Sequence, residues 1–131
     1  MAIEGFEFVP WSEHTEIAEV QGFDIGIMPL VDAPFQRGKS GYKLIQHMAC
    51  GLPTVASPVG VNCDIVDEGR SGFLVDGEQG WDNALRRLLG HRGLRATMGA
   101  AGREIAIAEY SLQSQATRLI ALFRSLAGTV R

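Results

Sequence analysis

The sequence predicts an α/β fold with a parallel sheet, and three observations lead there. Apolar stretches of strand length alternate with stretches of helical periodicity, the signature of βα units. Glycine or proline punctuates the changeovers, at Gly22, Pro29 and Gly51. Hydrophobic residues make up 46% of the 131 residues and charged ones 21%, enough for one domain around one core.

The elements follow in order. "FEFVP" (6–10) reads as a short strand. "SEHTEIAEVQG" (12–22) reads as a helix with Ser12 as N-cap and Gly22 as its stop. "FDIGIMPL" (23–30) is expected to be a buried strand, ended by Pro29 and a polar loop. A helix from about Ser40 to Cys50 stops at Gly51. "PTVAS" (53–57) is a third strand, followed by the turn "PVGVN", and "SGFLVDG" (71–77) is a weaker fourth.

Beyond that the chain is expected to be all helical. Trp81, Ala84, Leu85, Leu88 and Leu89 make one apolar face, and Leu94, Met98, Ala101 and Ile105 a second. Ser111 caps a last helix with the stripe Leu112, Ala116, Leu119, Ile120, Phe123 and Leu126. The sum is about four strands and five helices. A full six-stranded nucleotide-binding fold needs about two more βαβ units. Residues 1–131 are therefore expected to be a single, incomplete domain, a partial Rossmann-like sheet with a helical tail.

Composition excludes several classes. A net charge of −3 gives no basic surface for nucleic acid. No apolar run approaches the ~18 residues of a membrane span, and "MAIEGFEF" lacks the basic start and apolar core of a signal peptide. Cys50 and Cys63 have no CxxC spacing and are expected to be buried thiols of a cytoplasmic protein. His14, His47 and His91 are scattered, and no metal site is assigned.

The octet "APFQRGKS" (33–40) fits the loose consensus of a phosphate-binding P-loop. A working P-loop needs glycines whose consecutive amides wrap phosphate, whereas Pro34, Phe35, Gln36 and Arg37 fill this one. Asp76, ending "GFLVD", is the only faint candidate for a magnesium-binding acid. The helix after the octet says more. At 100° per residue Leu44, Ile45, Met48 and Ala49 point into a core, while Lys39, Tyr42, Lys43 and Gln46 share the opposite stripe. Free amides and the dipole at that helix start favour an anion, and Gly38 and Gly41 are expected to let a ligand approach the backbone. A diphosphate over the helix start, with a sugar hydroxyl pair reaching Gln46, is one reading. A solvated face with incidental lysines is the other.

Residues 29–77 carry a resemblance that favours the first. "KSGYKL", "MACGLPTVAS", "SPVGVNCDIV" and "GRSGFLV" resemble, in order and spacing, the nucleotide-sugar-binding half of retaining glycosyltransferases of the GT-B architecture, glycosyltransferase family four and its relatives. "EYSLQSQATRLIALFRSL" resembles that family's closing helix, and "FEFVPW" the segment near the donor's base. The resemblance implies an active site between two Rossmann-like domains, the C-terminal one holding a nucleoside-diphosphate sugar. It places Val9, Pro10 and Trp11 at the base, Gly38, Lys39, Ser40, Gly41 and Tyr42 at the phosphates and sugar, and Gln46 at the ribose. Lys39 and Lys43, with the amides of Ser40 and Gly41, would help the leaving diphosphate. Leu44 would either brush the nucleoside or sit in the core. No cofactor or divalent metal is implied, and no catalytic residue is assigned.

Two departures stand out. Many members carry a pair of glutamates at the positions of Gly38 and Gln46, so this chain lacks both charges. Nothing corresponds to the N-terminal acceptor-binding domain or to the Arg and Lys pair preceding the matched segment. The resemblance thus implies a fragment, inactive alone, of an enzyme transferring a sugar to a glycan or lipid-linked acceptor, cytoplasmic or peripheral at the inner membrane face. Two alternatives stay open: an ATP- or GTP-binding P-loop-like module, and a non-catalytic interaction domain self-associating through an exposed sheet edge.

Overall fold

The structure is a computed structural model that describes residue 5 and residues 7–129. The described chain runs as helix α1 (Glu16–Gln21), strand β1 (Gly26–Met28), α2 (Pro34–Arg37), α3 (Tyr42–Ala49), β2 (Thr54–Ala56), α4 (Asn62–Ile65), β3 (Gly72–Leu74), α5 (Gly77–Gly90), α6 (Arg92–Ile105), a π-helical turn at Ala106–Tyr110 and α7 (Leu112–Thr129). The strands form one parallel sheet in the order β1-β2-β3. Gly26 pairs with Thr54 and Thr54 with Gly72, and the register runs on to Met28, Ala56 and Leu74. The α/β class, the parallel sheet and the helical tail are as expected.

Three strands form rather than four. Residues 7–10 have no strand pairing and stay exposed, while Phe6 lies outside the described residues. An isolated apolar run has no free energy to gain as a strand without a partner edge. The helix expected over 12–22 begins only at Glu16. Ser12 contributes its carbonyl to a turn, accepting from the amides of Thr15 and Glu16, and Thr15 makes no side-chain cap. Gly22 ends the helix as expected.

Alternation along the strands divides the core. Met28 and Ala56 pack with Leu44, Met48, Ile65, Val66 and Ala106 in one cluster. Val55 and Phe73 pack with Ala84, Leu88 and Met98 in another. β1 departs from the buried strand expected: Gly26 and Met28 are inside, yet Ile27 is 49% exposed. Ala49 on α3 and Leu89 on α5 also face solvent, where the periodicity places them inside.

α7 differs most in its packing. Ser111 does cap it, its Oγ accepting from the amide of Ser114 at 3.1 Å. Of its stripe only Ala116 is half-buried; Leu112, Leu119, Ile120, Phe123 and Leu126 are exposed. Among the described residues α7 packs chiefly against the π-helical turn before it, which leaves most of the stripe uncovered. The thiols also differ from expectation. Cys63 is exposed and Cys50 half-exposed, the latter with its pKa raised by burial despite Arg103 nearby. Among the described residues no helix is long and apolar enough to cross a membrane.

Candidate nucleotide-binding site

In open α/β sheets ligands bind beyond the carboxyl ends of the strands. The loop leaving β1 runs over that end, and its placement is built from three polar contacts. The Leu30 amide donates to Ser57 Oγ at 2.9 Å, Asn62 Nδ2 donates to the Ser57 carbonyl at 2.9 Å, and the Ser57 amide donates to the Met28 carbonyl. Asn62 and Ser57 are both buried, so this knot fixes where the octet starts.

The octet itself is not a phosphate-wrapping loop. Pro34–Arg37 close into the single turn α2, in which proline occupies the first position it tolerates best. The Arg37 amide donates to Ala33 and the Lys39 amide to Gln36, so neither is free for an anion. Arg37 is held outside by a two-pronged pair with Asp32, at 2.6 and 2.9 Å. That hydrogen-bonded guanidinium keeps the exposed Asp32 carboxyl below its usual pKa. Gly60, at φ +57°, lets Arg37 sit down: a Cβ there would stand 2.6 Å from the Arg37 carbonyl oxygen. Asp76 instead caps α5, its carboxylate accepting from the Gly77 amide at 2.8 Å.

The start of α3 has the opposite character. Among the described residues the amides of Ser40, Gly41, Tyr42 and Lys43 donate to no backbone acceptor. These residues, with Lys39, line a hollow of about 610 Å³ whose other wall is Ile27 to Leu30. Lys39 reaches over the Phe35 ring at 5.7 Å, which positions its ammonium without removing it from solvent. Gly41 has a purpose beyond the one the sequence suggested. It is buried at φ +67°, and a Cβ would meet Ile65 Cδ1 at 2.3 Å and Val61 Cγ2 at 3.2 Å. Its missing side chain makes room for α4, while its backbone lines the hollow.

A second hollow, about 460 Å³, opens beside the first, on the other side of Lys43. Val9, Pro10 and Trp11 form its rim, α1 its wall through Glu16 and Glu19, and Phe23, Ile25 and Ile27 part of its floor. Lys43, Gln46 and His47 complete it from α3. Gln46 donates through Nε2 to Glu16 Oε1 at 2.8 Å. His47 is buried, and its Nδ1 makes no hydrogen bond among the described residues. Burial first, and the Lys43 charge second, push the His47 pKa down, so it backs this hollow as a neutral ring.

The structure therefore gathers nine of the ten sequence-predicted positions around two adjoining hollows, with Lys43 common to both. Gly38 is the exception: it closes α2, exposed, and lines neither. Leu44 is fully buried, which decides for the core. Glu16, His47 and Gly60 are additions that sequence reasoning missed. Glu16 meets Gln46 across thirty positions of chain, a pairing no local pattern encodes.

Comparison with known proteins bears on the family and the fold. Residues 2–91 match the family model of the glycosyl transferases group 1. The chain belongs to this family. It is 36% identical to D-inositol 3-phosphate glycosyltransferase of Corynebacterium urealyticum over 81% of its length, covering 24% of that protein. With the Mycobacterium tuberculosis protein of the same name it shares 32% identity over 92% of its length, again covering 25%. The chain thus spans about a quarter of the curated relatives it matches. Among solved structures, sucrose-phosphate synthase of Thermosynechococcus elongatus superposes with a TM-score of 0.80 at 29% identity, over 93% of this chain and 30% of that one. Anabaena HepE, solved with UDP and glucose, shares the fold at a TM-score of 0.70 and 21% identity, over 82% of this chain and 29% of its own. The fold expected of the C-terminal part of a GT-B glycosyltransferase is the fold observed.

Proposed function

We propose that this chain is the donor-binding part of a retaining glycosyltransferase, holding a nucleoside-diphosphate sugar across the two hollows. The observation that carries the reading is the start of α3, where undonated amides from Ser40 to Lys43 line one hollow and Lys43 lines both. A diphosphate over that helix start would meet amides, dipole and two ammonium groups together. The base would lie at Val9, Pro10 and Trp11, the ribose at Gln46, and the sugar toward Lys39 and Tyr42. Lys39 and Lys43 would stabilise charge developing on the leaving diphosphate, with no metal required.

The acceptor, a glycan or lipid-linked sugar, would be held by a separate N-terminal domain. Transfer would take place on the cytoplasmic side. The P-loop alternative loses support from α2, where Pro34 has no amide hydrogen and the Arg37 amide is already donated to the Ala33 carbonyl.

Calorimetric titration in a chelator tests the proposal. UDP or GDP binding without divalent metal, more tightly than the matching monophosphate, is the expected result. Binding only of ATP with magnesium would refute it.

A further inference from the structure

The resemblance described above implies a glutamate where Gln46 stands, and the contact between Gln46 and Glu16 supplies a carboxylate at the same place. Glu16 and Gln46 are both half-buried, face the same 460 Å³ hollow and touch at 2.8 Å. Only an amide nitrogen can face a carboxylate, so the contact fixes the rotation of the Gln46 amide. It leaves Glu16 Oε2 and Gln46 Oε1, on two touching side chains, with no hydrogen-bond donor among the described residues. Two adjacent acceptors, one of them anionic, match two adjacent hydroxyl donors.

We infer that Glu16 is a donor-binding residue: with Gln46 it forms a two-residue acceptor for the vicinal hydroxyls of the ribose, the negative charge having moved from α3 to α1. The inference rests on the donor-binding reading above. It also explains why glutamine suits position 46. A glutamate there would set two carboxylates in contact, and one would have to take up a proton or turn away. Glutamine instead donates to Glu16 and keeps the site at a single charge. Lys43, on the preceding turn of α3, lines the same hollow and balances that charge.

The test is a titration of the 131-residue chain with UDP and GDP and with their 2′,3′-dideoxy counterparts, in wild type, E16Q, Q46E and the exchange E16Q/Q46E. For the ribonucleotide, E16Q and Q46E are each expected to weaken binding about tenfold, the scale of one charge-assisted hydrogen bond. The exchange variant is expected to recover to within about threefold, since it rebuilds one carboxylate beside one amide. The dideoxynucleotides are expected to bind all four proteins within about twofold, which a contact that merely tethers α1 to α3 would not produce. Equal losses for ribo and dideoxy ligands, or no loss in E16Q, would overturn the role of Glu16 and leave the donor site standing. No binding of either diphosphate to wild type would overturn both. Thermal melting of each variant serves as the folding control, and the exchange variant carries the test if one single variant fails to fold.

Discussion

Gly41→Ala isolates the point at which the fold and the proposed site meet. A Cβ at φ +67° costs about 1–2 kcal/mol in the left-handed region. The same Cβ would lie 2.3 Å from Ile65 Cδ1, the far end of a side chain that can rotate, adding about 0.5–1.5 kcal/mol of off-rotamer strain. The total, about 1.5–3.5 kcal/mol, set against an unfolding entropy of about 2.1 cal/mol/K for each of 131 residues, lowers Tm by about 5–13 °C. Thermal melting followed by circular dichroism reads this directly. Ile65→Val removes Cδ1 at its own cost of about 0.5–1.5 kcal/mol, so the double variant should lose about 1 kcal/mol less than the two single losses combined. The backbone part of the penalty should persist in the double variant, and with it a displaced set of amides from Ser40 to Lys43. A Tm for Gly41→Ala within about 2 °C of wild type, or strict additivity with Ile65→Val, would refute the packing role assigned to Gly41.

Further outcomes follow from the same geometry. Gly60→Ala brings a Cβ within 2.6 Å of the Arg37 carbonyl oxygen at φ +57°. It should cost about 2–3 kcal/mol by melting and loosen the octet, seen as broadened amide signals over 33–39. Lys43→Ala should weaken nucleoside diphosphate by about 1.5–3 kcal/mol and more than Lys39→Ala, because Lys43 borders both hollows; raising the salt concentration should narrow both differences. Burial depresses the His47 pKa below its ordinary 6.5, so the unfolded chain binds the proton that the folded chain refuses. Stability should therefore decline as pH falls from about 6.5 and level off below the folded pKa, and His47→Leu should flatten that decline, as pH-resolved denaturant melts would report.

Much of this was legible in the sequence, for identifiable reasons. β2 and β3 and the helices around them follow from periodicity and punctuation, because their apolar faces meet partners within the chain. Residues 7–10 read as a strand on composition alone, but pairing is non-local and they pair with none of the three strands. The α7 stripe shows the same limit in reverse: Leu119, Ile120 and Phe123 mark an apolar face correctly, yet periodicity does not say whether anything covers it. At the site, Lys43 and Gln46 were found through helical spacing, which is local. Glu16 and Gly60 were not, because each acts on a residue far along the chain. The smallness of Gly41 is visible in the sequence, but its packing against Ile65 and Val61 is not, since a glycine's neighbour is a property of the fold.

The central claim is that the start of α3 and the hollow beside it hold a nucleoside diphosphate without metal. Amide-shift mapping by NMR on the isotopically labelled chain, titrated with UDP, GDP, and ATP plus magnesium, tests it most directly. The account predicts shifts with a diphosphate in the absence of magnesium, centred on residues 9–11 and 39–46, with Glu16 among them. Shifts that arise only with magnesium-ATP and centre on residues 33–40 would contradict it.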